Sequence, residues 1–296
     1  MQLLFIASPV GTLKSGNVGG VGLNIRNISQ EMLRRGHELQ ILAPVGSAIK
    51  SLPIKEISGE LQPSAPKQTR TDPVEIPDNA VLANMWDYAR KVQTDYDLIV
   101  NFAYDWLPFY LAPFFNRPPL HILNLGSWTS AMDRVIERVA CLCPGTLGVH
   151  TKAQAQTYRV PQESFRILGG AIDTAQYEFC LEPENSFAWA GRISSEKGLE
   201  DAVAAANATG ITLKVFGYLQ DPEYWQQICD KYPNAPLEYM GFLATEKFQA
   251  ELGKSRALLM THKCVEALGR VALEALACGA DTDEIRQFSF YMGLTR

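Results

Sequence analysis

The chain has 296 residues, 47% hydrophobic and 20% charged, which excludes wholesale disorder and allows about two domains with buried cores. Its 27 basic and 32 acidic residues give a net charge of -5, which argues against a sequence-independent nucleic-acid binder. No run of 18 apolar residues occurs, so no membrane span is expected.

The start, Met1 to Pro9, is apolar, lacks a basic n-region and is interrupted by Pro9 and Gly11. It reads as a buried first strand of a cytoplasmic protein rather than a signal peptide. Segments 3–9, 38–44, 97–103, 120–126, 146–151 and 165–171 are nearly continuous apolar runs, as parallel strands covered on both faces would be. Between the first two, Val21, Ile25, Ile28 and Met32 form one helical stripe, with Arg34 and Arg35 in the last turn and Gly36 as the stop. Strand, helix, strand opens a doubly wound α/β domain. Residues 51–80, with five prolines, read as a long surface excursion.

A second alternation begins near 186. Strands are expected at 186–191, 211–217, 237–242 and 257–261, and helices at 198–206, 222–231, 245–252 and 269–278. The division is placed at 175/176, giving domains 1–175 and 176–296. Two Rossmann-like halves put the best ligand site at the carboxyl ends of their strands, in a cleft between them.

Three motifs carry chemistry. Gly16-Asn17-Val18-Gly19-Gly20-Val21-Gly22 lies between strand one and helix one, where glycines admit a phosphate to the backbone and a helix start offers N–H groups. It is not a GxGxxG, and no acidic residue ends the second strand, so a dinucleotide oxidoreductase is disfavoured. Gly191-Arg192-Ile193-Ser194-Ser195-Glu196-Lys197-Gly198 follows a strand and opens a helix; a forked guanidinium and a mobile ammonium suit a diphosphate, although a solvated pair is the ordinary alternative. Glu266-Ala267-Leu268-Gly269-Arg270 leads through Glu274 to Cys278-Gly279. On one helix the two carboxylates would be about 80° and about 12 Å apart. With Glu266 on the loop before the helix, both reach one elongated polar ligand, as acceptors for sugar and ribose hydroxyls.

Other signals are weaker. Gly253-Lys254-Ser255 lacks the rest of a P-loop. Asp281-Thr282-Asp283 offers hard oxygens to Mg²⁺ but reads as a solvated turn. The six cysteines, Cys141, Cys143, Cys180, Cys229, Cys264 and Cys278, form no CxxC and read as reduced, mostly buried thiols. The aromatics Phe102, Tyr104, Trp106 and Trp128 are either stacking faces or core.

Together, in this order and spacing, the Gly-Gly loop, Gly-Arg-x-x-x-x-Lys-Gly and Glu-x7-Glu running into Glu-Ala-Leu-Ala-Cys-Gly resemble the retaining glycosyltransferases of family 4. Gly170-Ala171-Ile172-Asp173 is loosely similar to that family's Asn-Gly-Val-Asp. The resemblance covers residues 1 to about 279. It implies the α/β GT-B fold, with two Rossmann-like doubly wound domains facing across a cleft. Segments such as Asn101-Phe102-Ala103-Tyr104-Asp105-Trp106-Leu107-Pro108 and Tyr224-Trp225-Gln226 resemble the cyanobacterial UDP-glucose:tetrahydrobiopterin glucosyltransferases.

By that likeness, Arg192 and Lys197 bind the donor diphosphate and Glu266 takes sugar hydroxyls, these three being the catalytic set. Gly191, Ala267, Leu268 and Gly269 complete the donor site, Glu274 binds the ribose, and Gly19 and Gly20 approach the phosphates. Tyr104, Asp105, Trp106 and Trp128 would hold a small acceptor, a pterin such as tetrahydrobiopterin. The implied reaction moves glucose from UDP-glucose with retained anomeric configuration. It uses no metal and no cofactor, and its partners are small molecules rather than nucleic acid or membrane.

The sequence departs from the family after Gly279. A Pro-Val-Ile strand and a Gly-Gly segment of the family are missing, about 60 residues of the usual layout, and the second domain is expected to be shortened, with a lost strand and an exposed edge. Phe288 to Gly293 resembles the last helix. The alternative reading is a catalytically impaired remnant that binds a nucleotide sugar or a partner protein.

Overall fold

The computed structural model describes residues 1–14, 19–63, 65 and 68–284. The chain divides into two compact units, Met1–Gly170 and Ala171–Arg296. The first runs β1 (Gln2–Ile6), α1 (Gly20–Arg34), β2 (Glu38–Pro44), β3 (Ile54–Ile57), α2 (Val81–Val92), β4 (Leu98–Asn101), α3 (Trp106–Leu111), β5 (Leu120–Ile122), α4 (Ser130–Leu142), β6 (Leu147–Val149), α5 (Lys152–Gln156) and β7 (Phe165–Ile167). Its parallel sheet has the order β3-β2-β1-β4-β5-β6-β7.

The α1 stripe forms as its spacing dictates: Ile25 is fully buried, and Val21, Ile28 and Met32 pack on the same cluster as Phe5, Ile41 and Val100. The helix ends before Gly36, whose φ of +79° only glycine adopts readily. Phe102 is 1% exposed and its ring centroid lies 5.2 Å from that of Phe5, so it is core and not an acceptor face.

Residues 51–80 are not wholly irregular. They contain β3, an edge strand in register with β2, which begins directly after Pro53, where a missing N–H costs the ladder nothing. Farther on, the backbone carbonyl of Arg70 accepts from Ser130 N at 2.9 Å, and Trp128 Nε1 donates to Gln68 O at 3.0 Å. The excursion is thus pinned to the start of α4.

The second unit runs β8 (Glu184–Ala190), α6 (Leu199–Thr209), β9 (Thr212–Phe216), α7 (Pro222–Lys231), β10 (Leu237–Gly241), α8 (Thr245–Gly253), β11 (Ser255–Met260), α9 (Arg270–Cys278) and β12 (Asp281–Glu284). Its sheet order is β10-β9-β8-β11-β12. Asp281-Thr282-Asp283 is therefore not a solvated turn. It belongs to β12, which pairs in parallel with β11 from Ala257↔Asp281 to Met260↔Glu284. That strand gives β11 a neighbour on the side where the sequence implied a lost strand, and Leu258 beneath it is fully buried.

Gly253-Lys254-Ser255 spans the end of a helix and the start of a strand, the reverse of a phosphate-binding strand-to-helix loop. All six cysteines are unpaired. Only Cys143 and Cys278 are buried and Cys141 is exposed, so the expectation of mostly buried thiols does not hold.

Candidate active site

In each sheet the strand order reverses once, and ligand sites of open α/β sheets lie at the carboxyl ends of the strands flanking that reversal. In the second unit the flanking strands are β8 and β11. Segment 191–198 follows β8 and segment 261–269 follows β11, so the two charged motifs leave adjacent strands on the same edge.

The two segments are tied together by their backbones. Lys263 N donates to Glu196 O at 3.0 Å, and Thr261 Oγ1 donates to Gly198 O at 2.7 Å while accepting from Trp189 Nε1 at 3.1 Å. Gly198 has φ +65°, and a Cβ there would stand 2.0 Å from Thr261 O. Only glycine allows this approach.

Glu266 lies on the loop and α9 begins at Arg270, which is the arrangement that lets the two glutamates leave helical phase. Lys197 Nζ donates to Glu266 Oε1, with both side chains less than one-fifth exposed. Burial would raise the Glu266 carboxyl, but the Lys197 ammonium, aided by His262 and Arg192, holds it below its ordinary value. Arg192 is itself held by Gln220 Oε1 at 2.8 Å and Glu196 Oε1 at 3.2 Å. The structure thus brings Arg192, Lys197 and Glu266 into one electrostatic cluster.

Gly191 donates its N–H to Phe216 O at 3.0 Å, and a Cβ at Gly217 would meet its carbonyl at 1.8 Å. Its amide is committed to the fold. Ala267 is buried, Leu268 half-buried, and Gly269 caps α9 in the left-handed region at φ 66°. At the start of α9, Ala272 N donates to the Gly269 carbonyl at 2.9 Å.

Glu274 is enclosed. Its Oε1 lies 3.6 Å from Arg270 Nε and accepts from Tyr177 Oη at 3.2 Å. Burial and the Glu274 charge push the Tyr177 hydroxyl up to about 12. Arg270 and Glu196 stand inside the motifs without an assigned role, and Tyr177 and Gln220 lie outside them. Glu196 stands inside the Arg192–Lys197 motif as a visible acceptor; Gln220 and Tyr177 carry no sequence signal, because only the fold brings them there.

In the first unit the reversal lies between β1 and β4. The glycine loop follows β1, and Tyr104 and Asp105 follow β4. Gly16, Asn17 and Val18 lie outside the described residues. Gly19 caps α1 and Gly20 is its first residue. Neither needs a positive φ, and an added Cβ at either would meet nothing within 4 Å; the fold by itself does not demand glycine there.

Tyr104, Asp105 and Trp106 line one recess with Gln62, Asp72 and Glu75. Asp105 caps α3 by accepting from Leu107 N at 3.1 Å and accepts from Gln62 Nε2 at 3.2 Å; burial raises its carboxyl. Trp106 stacks on Tyr110, centroids 4.5 Å apart, and Tyr104 Oη donates to Gly126 O at 3.0 Å. Trp128 is not among the residues lining the recess; its Nε1 donates to the carbonyl of Gln68, which does line it. Beside it, Arg70 bridges Ser127 Oγ at 2.7 Å and the buried Asp133. Among the described residues no cluster of three or more metal-ligating side chains occurs, and no helix is long and apolar enough to cross a membrane.

No family model matches the chain, and no curated protein is similar to it at a significant level. Solved structures do resemble it. Sucrose-phosphate synthase from Thermosynechococcus elongatus superposes with TM-score 0.74 at 14% identity, over 96% of this chain and 80% of that one. Anabaena HepE, solved with UDP and glucose, gives TM-score 0.72 at 16% identity, over 95% and 80%. AviGT4, a glycosyltransferase involved in avilamycin A biosynthesis, gives 0.65 at 17% identity, over 96% and 78%. The chain has the fold of the GT-B glycosyltransferases.

Proposed function

We propose that the protein transfers glucose from UDP-glucose to a hydroxyl of a small acceptor, a pterin such as tetrahydrobiopterin, with retained anomeric configuration and without a metal. The observation that carries the transferase reading is the convergence of Arg192 and Lys197 on Glu266, where segments from two adjacent strands meet. HepE, of the same fold, was solved with UDP and glucose, which supports the donor.

The chemistry follows from charge. The bond from the anomeric carbon to the diphosphate oxygen breaks with its electron pair left on UDP. A bond to the acceptor oxygen forms, and the acceptor's proton is released. Negative charge grows on the diphosphate, and cations already fixed there by Glu196, Gln220 and Glu266 need little reorganisation to stabilise it. Glu266 and the start of α9 offer an acceptor and donors to sugar hydroxyls. Glu274 takes the ribose, exchanging part of its contact with Tyr177 for ribose hydroxyls. The recess at Tyr104, Asp105 and Trp106 is aromatic and acidic, which favours a flat acceptor rich in N–H groups. The remnant reading loses its main support, because β12 covers β11.

Calorimetry with UDP and with UDP-glucose tests the donor, and UDP release on adding reduced pterin tests the acceptor. Binding of both nucleotides and pterin-dependent UDP release are expected. No heat from either nucleotide at millimolar concentration would remove the donor reading. Turnover surviving in Arg192→Ala/Lys197→Ala within tenfold, about 1.4 kcal/mol, would remove the diphosphate assignment.

A further inference from the structure

Glu274 is 5% exposed, and a carboxylate so enclosed takes a ligand only when something lying against it gives way. Tyr177, from outside α9, donates its hydroxyl to Glu274 Oε1 at 3.2 Å. The hydroxyl keeps its proton at neutral pH, because burial and the Glu274 charge push it up to about 12, so it is the donor.

Helix α9 is not the part that moves, since Ala272 and Ala275 fix it in the core around Leu258. Segment 173–181 is loosely held. Among its residues only Tyr177 and Cys180 are not exposed, and so little burial makes local movement cheap. Cys180 N donates to Cys278 O at 2.9 Å, which anchors the segment to the end of α9 three residues beyond the tyrosine. A ribose brings to Glu274 the same kind of donor that Tyr177 does. Exchanging one hydroxyl for another keeps the buried carboxylate paired, so the exchange avoids the cost of an uncompensated charge.

We infer that the Tyr177 hydroxyl is an internal competitor for the nucleotide: it holds the ribose position on Glu274 and gives it up when ribose hydroxyls arrive, and so sets how tightly the nucleotide is held. This rests on the nucleotide-sugar reading above, with Glu274 as the ribose carboxylate. In Tyr177→Phe the carboxylate lacks that donor, and the ribose gains a bond without displacing another.

The test is calorimetry of wild type and Tyr177→Phe with UDP and with inorganic pyrophosphate, which has no ribose. Tyr177→Phe is expected to tighten UDP about threefold or more and to leave pyrophosphate within about twofold. Unchanged or weaker UDP binding in the variant, or equal tightening of both ligands, would overturn this inference alone. Failure of the wild type to bind UDP would overturn the nucleotide-sugar reading and this inference with it. Should Tyr177→Phe not fold, amide hydrogen exchange of the wild type decides: saturating UDP is expected to speed exchange in segment 173–181, and slower or unchanged exchange there overturns the role.

Discussion

Lys197 and Glu266 show how much one pair carries. Both side chains are withdrawn from water, and removing one leaves the other charge uncompensated. Lys197→Met is expected to cost about 3 kcal/mol of stability, and Glu266→Gln added to it should recover part of that loss; urea denaturation of the two variants measures both. A loss below about 0.5 kcal/mol in the single variant would show that the pair is a solvated one. Because the Glu266 carboxyl is depressed, its contribution is present above its ordinary value of 4.5 and fades as the pH falls through the folded value. A second residue, His121 in the first unit, is fully buried, stacks on Phe109, and is held by burial down to about 3. The unfolded chain takes up its proton near the ordinary 6.5, whereas the folded one does not. Stability is therefore full above that pH and declines on acidification toward 3, by about 1.4 kcal/mol per pH unit for one proton. Denaturation at pH 7 and pH 5 should give a shallower decline for His121→Phe than for wild type; equal declines would mean that the ring titrates freely in the fold.

Elements join at glycines whose neighbours, rather than their own torsion alone, exclude a side chain. Gly198 and Gly210 have nearly the same φ, +65° and +69°, at the two ends of α6, yet a Cβ at Gly210 meets nothing within 4 Å and one at Gly198 meets Thr261 O at 2.0 Å. Gly210→Ala is expected to cost about 1 kcal/mol, the price of a left-handed alanine. Gly198→Ala should cost at least twice that and also weaken UDP binding, since it separates the segments that hold Lys197 and Glu266. Equal costs measured by thermal unfolding would mean that the docking of segment 261–269 is soft. The regular elements were legible where punctuation was strong. Helix α7 starts at Pro222 after Asp221, whose carboxylate accepts from Tyr224 N at 3.0 Å, and ends at Lys231 as its pattern reads. Strands β3 and β12 were not legible, because each is a polar or Pro-flanked stretch made a strand by a buried neighbour already in the sheet.

At the scale of the molecule, each apolar cluster lies within one unit: those around Phe5, Phe109 and Trp86 in the first, and those around Trp189 and Leu258 in the second. Arg192, Lys197, Glu266 and Glu274 all belong to the second. The segment from Ala171 onward, expressed by itself, is expected to fold and to bind UDP, while residues 1–170 should fold without binding it. Calorimetry on the two fragments measures this, and UDP heat from the first fragment alone would reverse the assignment of donor side.

Local pattern was enough for the α/β alternation, for the α1 stripe and for the three charged or glycine-rich motifs, because those depend on period, propensity and chain punctuation. It was not enough for which motifs meet. Glu266 reaches Lys197 across 69 positions of sequence because β8 and β11 are sheet neighbours although β9 and β10 intervene in the chain. Gln220 and Tyr177 likewise reach Arg192 and Glu274 across 28 and 97 positions of sequence. Strand order and side-chain burial arise from pairing between distant segments, and that pairing is set by the packing of the whole sheet rather than by any window of residues.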